Sequence, residues 1–158
     1  MPSLVPWLLF AHLFGVMVGL GPTFIFGRVA AMGRAERAAS FTTRMTHAIS
    51  HAYVLPLGAL VIASGFGLIW SLGLDVTTRG WLLVSIVLQL SVFTYSAVFQ
   101  NRDISRILRL LDGIEPGVPP SPEVAATLAR LGRRVGRTGV VMKATTLVIL
   151  YLMVVKPF

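Results

Sequence analysis

Apolar residues fill four long runs along the chain, and polar residues lie mainly between them. The runs cover about residues 4–26, 51–72, 80–99 and 139–155. A helix needs roughly 20 apolar residues to cross a hydrocarbon core about 30 Å thick, and each run is close to that length. Because a chain in lipid must satisfy its backbone hydrogen bonds internally, the runs predict four transmembrane helices.

The segment between the third and fourth runs has a helical pattern of its own. In "NRDISRILRLLDG" (101–113) the apolar residues share one face and arginines occupy the others, so we expect a helix that leaves the bilayer and lies along its surface. Two consecutive prolines then end it. Ser121, Pro122 and Glu123 suit the N-cap, first position and first turn of a new helix that continues into the fourth span. A flexible loop is the alternative, because glycines interrupt this segment.

These patterns predict an all-α fold, a polytopic membrane protein with four transmembrane helices in a bundle. A cytoplasmic or interfacial helical hairpin joins spans three and four. We expect one domain over residues 1–158, since no internal repeat is detectable. The first run is interpreted as a retained span, because no Lys or Arg precedes it and its length of about 23 residues exceeds the apolar core of a signal peptide.

Composition agrees with a lipid environment. The 158 residues are 55% hydrophobic and 13% charged, and the mean hydropathy is +0.80. A soluble domain of this size cannot bury so much apolar surface. The chain has no cysteine, which excludes disulfides, thiolate-bound iron–sulfur clusters and covalent haem attachment.

The net charge of +8 comes from arginines that flank the spans on one side. Eleven of the fourteen basic residues lie in the loops after spans one and three, so the positive-inside rule places these loops in the cytoplasm and both termini outside. Trp7, Trp70 and Trp81 fall at the outer ends of their spans, as interfacial aromatics do. We expect anionic lipid headgroups, and no nucleic acid, as partners of Arg28, Arg34, Arg37, Arg44, Arg106, Arg109, Arg133, Arg134 and Arg137.

Spans one and two each carry small residues at intervals of four, which allows helix backbones to approach closely. Contact within the bundle is favoured over a dimer face. Pro22 and Pro56 remove backbone hydrogen bonds and free the carbonyls of Val18 and Ala52, for which Thr23 or a water is a candidate partner. The helix-packing residues are Ala11, Gly15, Gly19, Ala59, Ala63 and Gly67.

Polar residues inside the spans fall at two levels. His12 lies about 12 Å below the outer surface, and Gln89 in span three reaches about the same level. His51 lies within about 5 Å of the inner edge, near Met142 and Lys143. Because His12 and His51 differ in height by about 15 Å, they do not suit the two axial positions of one haem. An outer site of His12, with Gln89 or nothing opposite, and an inner site of His51 with Met142 or Lys143 remain as candidate haem b sites.

His47 and His51 are four residues apart, share one helical face and form a candidate metal pair. Each polar residue also has a structural interpretation. A histidine such as His12 commonly bonds a neighbouring helix, His47 suits the interface, Lys143 can reach the headgroups, and Gln89 can bridge helices. No Asp or Glu lies within a span, so a carboxylate proton relay is not expected.

Three stretches, "AHLFGVMVGLG" (11–21), "LPLGALVIASGFGL" (55–68) and "YLMVVKPF" (151–158), resemble the bacterial integral membrane family called domain of unknown function 2269. The resemblance implies four helices in a bacterial inner membrane and no established activity. A looser resemblance links the chain to HemJ-type protoporphyrinogen oxidases, four-helix haem proteins with a first-span histidine that His12 matches. The partner ligand of that family, a lysine in the third span, has no counterpart here.

Two hypotheses about function follow. The first is a structural or accessory subunit that packs on a larger membrane complex or on a second copy of the chain. The second is a haem b redox protein ligated through His12 or His51. We favour the first and do not expect an enzyme, because no nucleophile–base pair or second haem ligand is evident. Solute transport fits poorly, since the spans have little polar lining.

Overall fold

The computed structural model describes residues 4–36, 38–114 and 118–157. It contains four long helices, and no strand occurs in these ranges. Each helix is long and apolar enough to cross a membrane, which confirms the predicted all-α fold with four spans. The helices are α1 (Val5–Ala35), α2 (Ala39–Ser71), α3 (Gly80–Asp112) and α4 (Pro122–Val155).

The helices are longer than their apolar runs. They contain 31 to 34 residues, about ten more than a bilayer requires. The additional turns lie at the end of the bundle that carries the arginines, called here the arginine-rich end. The predicted hairpin is present, and its arms are the last twelve residues of α3 (Asn101–Asp112) and the first half of α4. Each arm continues a span without interruption, instead of forming a separate surface helix.

The start of α4 has the predicted cap. The Val124 N–H donates to Ser121 Oγ at 3.3 Å, Pro122 follows the cap, and Glu123 lies in the first turn. The hydroxyl satisfies one of the amide groups that have no partner within the helix. The interpretation of this segment as a flexible loop is therefore wrong for the part of it that the structure describes.

The four helices surround the bundle axis in chain order. α1 packs most extensively on α2, and α3 packs on α4. Smaller contacts between α2 and α3, and between α1 and α4, close the ring. Helices that are diagonal across the bundle, α1 with α3 and α2 with α4, are not packed against each other to a comparable extent. The bundle is thus two packed hairpins that meet along the α2–α3 seam.

Glycines bring α1 and α2 together. A Cβ atom at Gly15 would lie 2.7 Å from Val61 Cγ2, and one at Gly19 would lie 2.6 Å from Leu57 Cβ. Gly67 faces Leu8 in the same way. The predicted small-residue stripes therefore pack inside the bundle at these three positions, because no larger residue fits between the backbones.

The second stripe does not face α1 over its whole length. Ala59 and Ala63 are exposed, whereas Gly58 and Ser64 are buried on α2. An α-helix has 3.6 residues per turn, so positions four apart drift by about 40° at each step. On α2 this drift leaves Ala59 and Ala63 outside the contact, and only the last member of the stripe, Gly67, meets α1.

Both transmembrane prolines follow a widened stretch of helix. The segments Gly15–Leu20 and Ser50–Val54 are π-helical, and Pro22 and Pro56 each follow after one intervening residue. Such segments arise where the ordinary helical hydrogen-bond ladder is interrupted. The Thr23 hydroxyl donates to the carbonyl of Leu20 at 2.6 Å, not to that of Val18 as proposed from the sequence.

The end opposite the arginines has a small apolar core. Trp81, Leu82 and Leu152 are buried together, and Lys156 Nζ lies 5.6 Å from the Trp81 ring centroid, within range of a cation–π contact. Trp81 is 9% exposed, whereas Trp7 is 73% and Trp70 89% exposed. Trp81 thus packs inside the protein at the start of its helix, whereas Trp7 and Trp70 face outward.

The loop between α2 and α3 explains the burial of Trp81. Asp75 Oδ1 accepts hydrogen bonds from the Thr77 hydroxyl at 2.7 Å and from the Thr77 N–H at 2.8 Å. These bonds stabilise the carboxylate and lower the pKa of Asp75. The turn they hold places Val76 against the core that contains Trp81.

The glycine contact predicts a difference between two alanine substitutions. Gly19→Ala forces Leu57 away from α1 and should lower the free energy of unfolding by about 1–3 kcal/mol. Gly136→Ala meets no atom within 4 Å and should leave stability unchanged or raise it by up to about 1 kcal/mol, because alanine favours helix. Thermal unfolding of both variants in the same detergent measures this. Equal stability of the two would contradict the packing described here.

Candidate functional site

A cluster of polar side chains lies on the α2–α3 seam at the arginine-rich end. His47 and His51 come from α2, and Asn101 and Ser105 come from α3. Both pairs have a spacing of four residues, which places the two members of each pair on one face of their helix. Because α2 and α3 run antiparallel, the two faces meet with His51 opposite Asn101 and His47 between Asn101 and Ser105.

Both imidazoles converge on one amide oxygen. His47 Nε2 lies 3.0 Å from Asn101 Oδ1, and His51 Nε2 lies 2.9 Å from the same atom. Ser105 Oγ is 3.4 Å from His47 Nε2, and the two ring centroids are 4.6 Å apart. An amide oxygen has two lone pairs and accepts both bonds when each Nε2 carries its proton.

The cluster is partly open. His47, Asn101 and Ser105 are half-buried, and His51 is exposed. The neighbouring Gln100 has its Oε1 buried with no hydrogen-bond partner among the described residues. A buried carbonyl oxygen in that condition is rare and costs free energy. The seam therefore holds more hydrogen-bonding capacity than its own contacts use.

Ion pairs flank the cluster on α3. Arg44 of α2 pairs with Asp112, and Arg134 Nε of α4 lies 3.1 Å from Asp103 Oδ2. Two of the arginines assigned to lipid headgroups thus have protein partners. Arg37 lies outside the described residues. The remaining residues of that set are exposed, namely Arg28, Arg34, Arg106, Arg109, Arg133 and Arg137.

His12 occupies a separate position at the α1–α2 contact. Its Nδ1 lies 3.0 Å from the carbonyl oxygen of Val61 and 3.2 Å from Ser64 Oγ. The ring packs against Gly65, where a Cβ atom would lie 3.3 Å from His12 Cε1. Val61 is ten residues from His51 along α2, so the two histidines differ in level by about 15 Å, in agreement with the sequence-based calculation.

The candidate haem ligand pairs are not joined by any described contact. His12 faces α2, whereas Gln89 belongs to α3, which is diagonal to α1. His51 faces α3, whereas Met142 belongs to α4, which is diagonal to α2. Lys143 lies near α1, since its Nζ would be 3.6 Å from a Cβ atom on Gly27.

Sequence reasoning identified the two histidines of the cluster and missed Asn101 and Ser105. Both lie after the third apolar run, in the segment expected to leave the bilayer. Continuing span three as one helix brings Asn101 to the level of His51, and the shared spacing of four residues then matches the two faces. The matching spacing of four residues was therefore visible in the sequence. It indicates a cluster only if span three continues as one helix through Asn101.

The cluster consists of uncharged nitrogen and oxygen groups. In the described parts of the chain, no three side chains of His, Cys, Asp or Glu type converge on a common point. The cluster instead offers two imidazoles and one amide oxygen, a set that can hold two helices together or surround a small ion.

Comparison with known proteins agrees with this architecture. The family model described as "Predicted integral membrane protein (DUF2269)" matches residues 6–157. The chain therefore belongs to this family of integral membrane proteins. No curated protein and no solved structure matches the chain.

Removal of the shared acceptor should weaken the seam. Asn101→Leu leaves both Nε2–H groups without their partner and should cost about 1–2 kcal/mol of unfolding free energy, since the cluster is only partly buried. Gln89→Leu is the control, because this half-buried amide on the same helix has no described hydrogen bond, and we expect no loss. Thermal unfolding in detergent compares them, and a control that loses as much stability as Asn101→Leu would refute a special role for the cluster.

Proposed function

We propose that this chain is a structural or accessory subunit of a larger membrane complex, in which a partner helix packs on its exposed surface. The observation that supports this most directly is the exposed pair Ala59 and Ala63 on α2, where small residues permit close approach of a second helix. His12 bonds Val61 and Ser64 within the chain and contributes to the association of α1 with α2. In this role the chain is one folded domain over residues 1–158, and its exposed helix faces are the contact surfaces for other subunits.

We further propose that the protein lies in a bacterial inner membrane with the arginine-rich end in the cytoplasm and both termini outside. The distribution of arginine supports this orientation through the positive-inside rule. The exposed arginines on α3 and α4 would then face anionic headgroups of the cytoplasmic leaflet, where each contributes about 1 kcal/mol of attraction.

The lipid-facing side of α2 is the best candidate for contact with another helix. Ala59 and Ala63 are exposed one turn apart, and none of the helices that the structure describes covers them. Small residues at this spacing permit close approach of a second helix. The partner helix belongs to another subunit of the complex; a second copy of the chain is the other possible source.

Isolation from native membranes in a mild detergent tests the accessory role. We expect the protein to migrate in an assembly larger than one chain. The double variant Ala59→Leu, Ala63→Leu should release it, because the added side chains block close approach. Ala144→Leu, at an exposed alanine on α4, is the matched control and should keep the assembly. A lone monomer from native membranes would overturn the proposal, and a homo-oligomer would identify the second copy as partner.

Haem b binding through His12 or His51 is the second candidate function. One observation favours His12: its Nδ1 is bonded to a backbone carbonyl, an arrangement that fixes the tautomer and leaves Nε2 as the ligand atom of many metal-binding histidines. The residues fit only one axial position, because neither Gln89 nor Met142 is brought to a histidine.

An absorption spectrum of the purified protein, oxidised and reduced, tests haem binding. A Soret band that disappears in His12→Ala or in His51→Ala would establish haem and identify its ligand. A colourless protein expressed with added haem precursor would remove this candidate and leave the accessory role as it stands.

A further inference from the structure

We propose that His47, His51 and Asn101 form a binding site for one divalent transition-metal ion at the α2–α3 seam. This inference does not rest on the accessory role. Two imidazole nitrogens and an amide oxygen are suitable ligands for Zn²⁺, Co²⁺, Ni²⁺ and Cu²⁺, whereas Ca²⁺ and Mg²⁺ prefer ligands that are all oxygen.

The distances in the cluster suit adjacent positions around one ion. Ligands about 2.1 Å from an octahedral metal ion lie about 3 Å from one another, and about 3.4 Å in a tetrahedron. The Nε2–Oδ1 distances are 3.0 Å for His47 and 2.9 Å for His51. Both nitrogens share the same oxygen, so they are no more than about 6 Å apart. To reach one ion, the rings turn until the two Nε2 atoms are no more than about 4.2 Å apart, and ring centroids 4.6 Å apart are compatible with that separation.

The helices supply these donors from positions that metal sites commonly use. Histidines four residues apart on a helix share a face and can chelate one ion. Here their rings are already adjacent, with centroids 4.6 Å apart. Asn101 reaches the same point from the opposing helix, so an ion bound there would contact both α2 and α3.

Proton balance does not oppose binding. With Asn101 as acceptor, each Nε2 carries the proton of a neutral imidazole. When Nε2 coordinates a metal, that proton relocates to Nδ1 through solvent, and each ring stays neutral. The exposed side of His51 gives the ion access and leaves its remaining coordination positions to water. Ser105 Oγ, 3.4 Å from His47 Nε2, lies close enough to bond such a water.

The donor set also predicts modest affinity. None of the three donors carries a negative charge, and two flanking carboxylates, Asp103 and Asp112, are engaged by arginines. A charged oxygen at the Asn101 position should therefore bind the ion more tightly than the amide does. The substitution Asn101→Asp supplies it with little change in shape and keeps an acceptor for both histidines.

The test titrates detergent-purified protein, with any affinity tag removed, with Co²⁺ followed by visible absorption and with Zn²⁺ followed by calorimetry. We expect one ion per chain. His47→Ala and His51→Ala should each weaken binding by at least about tenfold, and Asn101→Asp should strengthen it by at least about tenfold. His12→Ala is the control, because His12 lies outside the seam, and should bind as the unaltered protein does.

Three results would overturn the proposal. They are no binding of either ion to the unaltered protein, equal binding after loss of His47 or His51, and no gain of affinity in Asn101→Asp. Helix content and thermal unfolding of each variant show whether it is folded. If an alanine variant does not fold, the titration of the unaltered protein still decides, since failure to bind either ion overturns the proposal without any variant.

Discussion

The close approach of α1 to α2 is the contact on which the rest of the structure depends. In lipid, an apolar side chain gains little by moving from the acyl chains to a neighbouring helix, so association relies on packing of backbones and on hydrogen bonds between helices. Gly15 and Gly19 allow the first, and His12 supplies the second where it bonds Val61. The described residues contain only seven buried apolar side chains, so no large hydrophobic core replaces these contacts.

The second hairpin joins the first through polar contacts at the arginine-rich end. The seam between α2 and α3 contains the Asn101 cluster and the pair of Arg44 with Asp112. Exposed ion pairs contribute little to stability, and hydrogen bonds contribute only about 1 kcal/mol each. The seam is therefore weaker than the contact inside the first hairpin, and small changes at the cluster act on the relative position of the two hairpins.

The sequence was sufficient for features that depend on one helix at a time. Apolar length determines the spans, and the chemistry of Ser121 and Pro122 determines the start of α4, so both were predicted correctly. The depth calculation separated His12 from His51 because the rise per residue is constant. Features that depend on which helices are neighbours could not be read in this way. Asn101 was missed, Ala59 and Ala63 were placed in a packing stripe, and the burial of Trp81 beneath its loop was not foreseen.

A metal ion at the seam would connect the two proposals without making either depend on the other. An ion that contacts both α2 and α3 binds only when the hairpins are docked, so it stabilises that arrangement by RT ln(1 + [L]/Kd), about 2.7 kcal/mol at 100 times Kd. That is more than the hydrogen bonds of Asn101 provide. Two exposed arginines, Arg106 and Arg109, lie on the same extension of α3 as Asn101, and the others lie on α1 and α4. Docking of the hairpins therefore also fixes the spacing of these charges. Binding at His47 and His51 would then determine which surface the arginine-rich end presents to lipid or to a partner subunit.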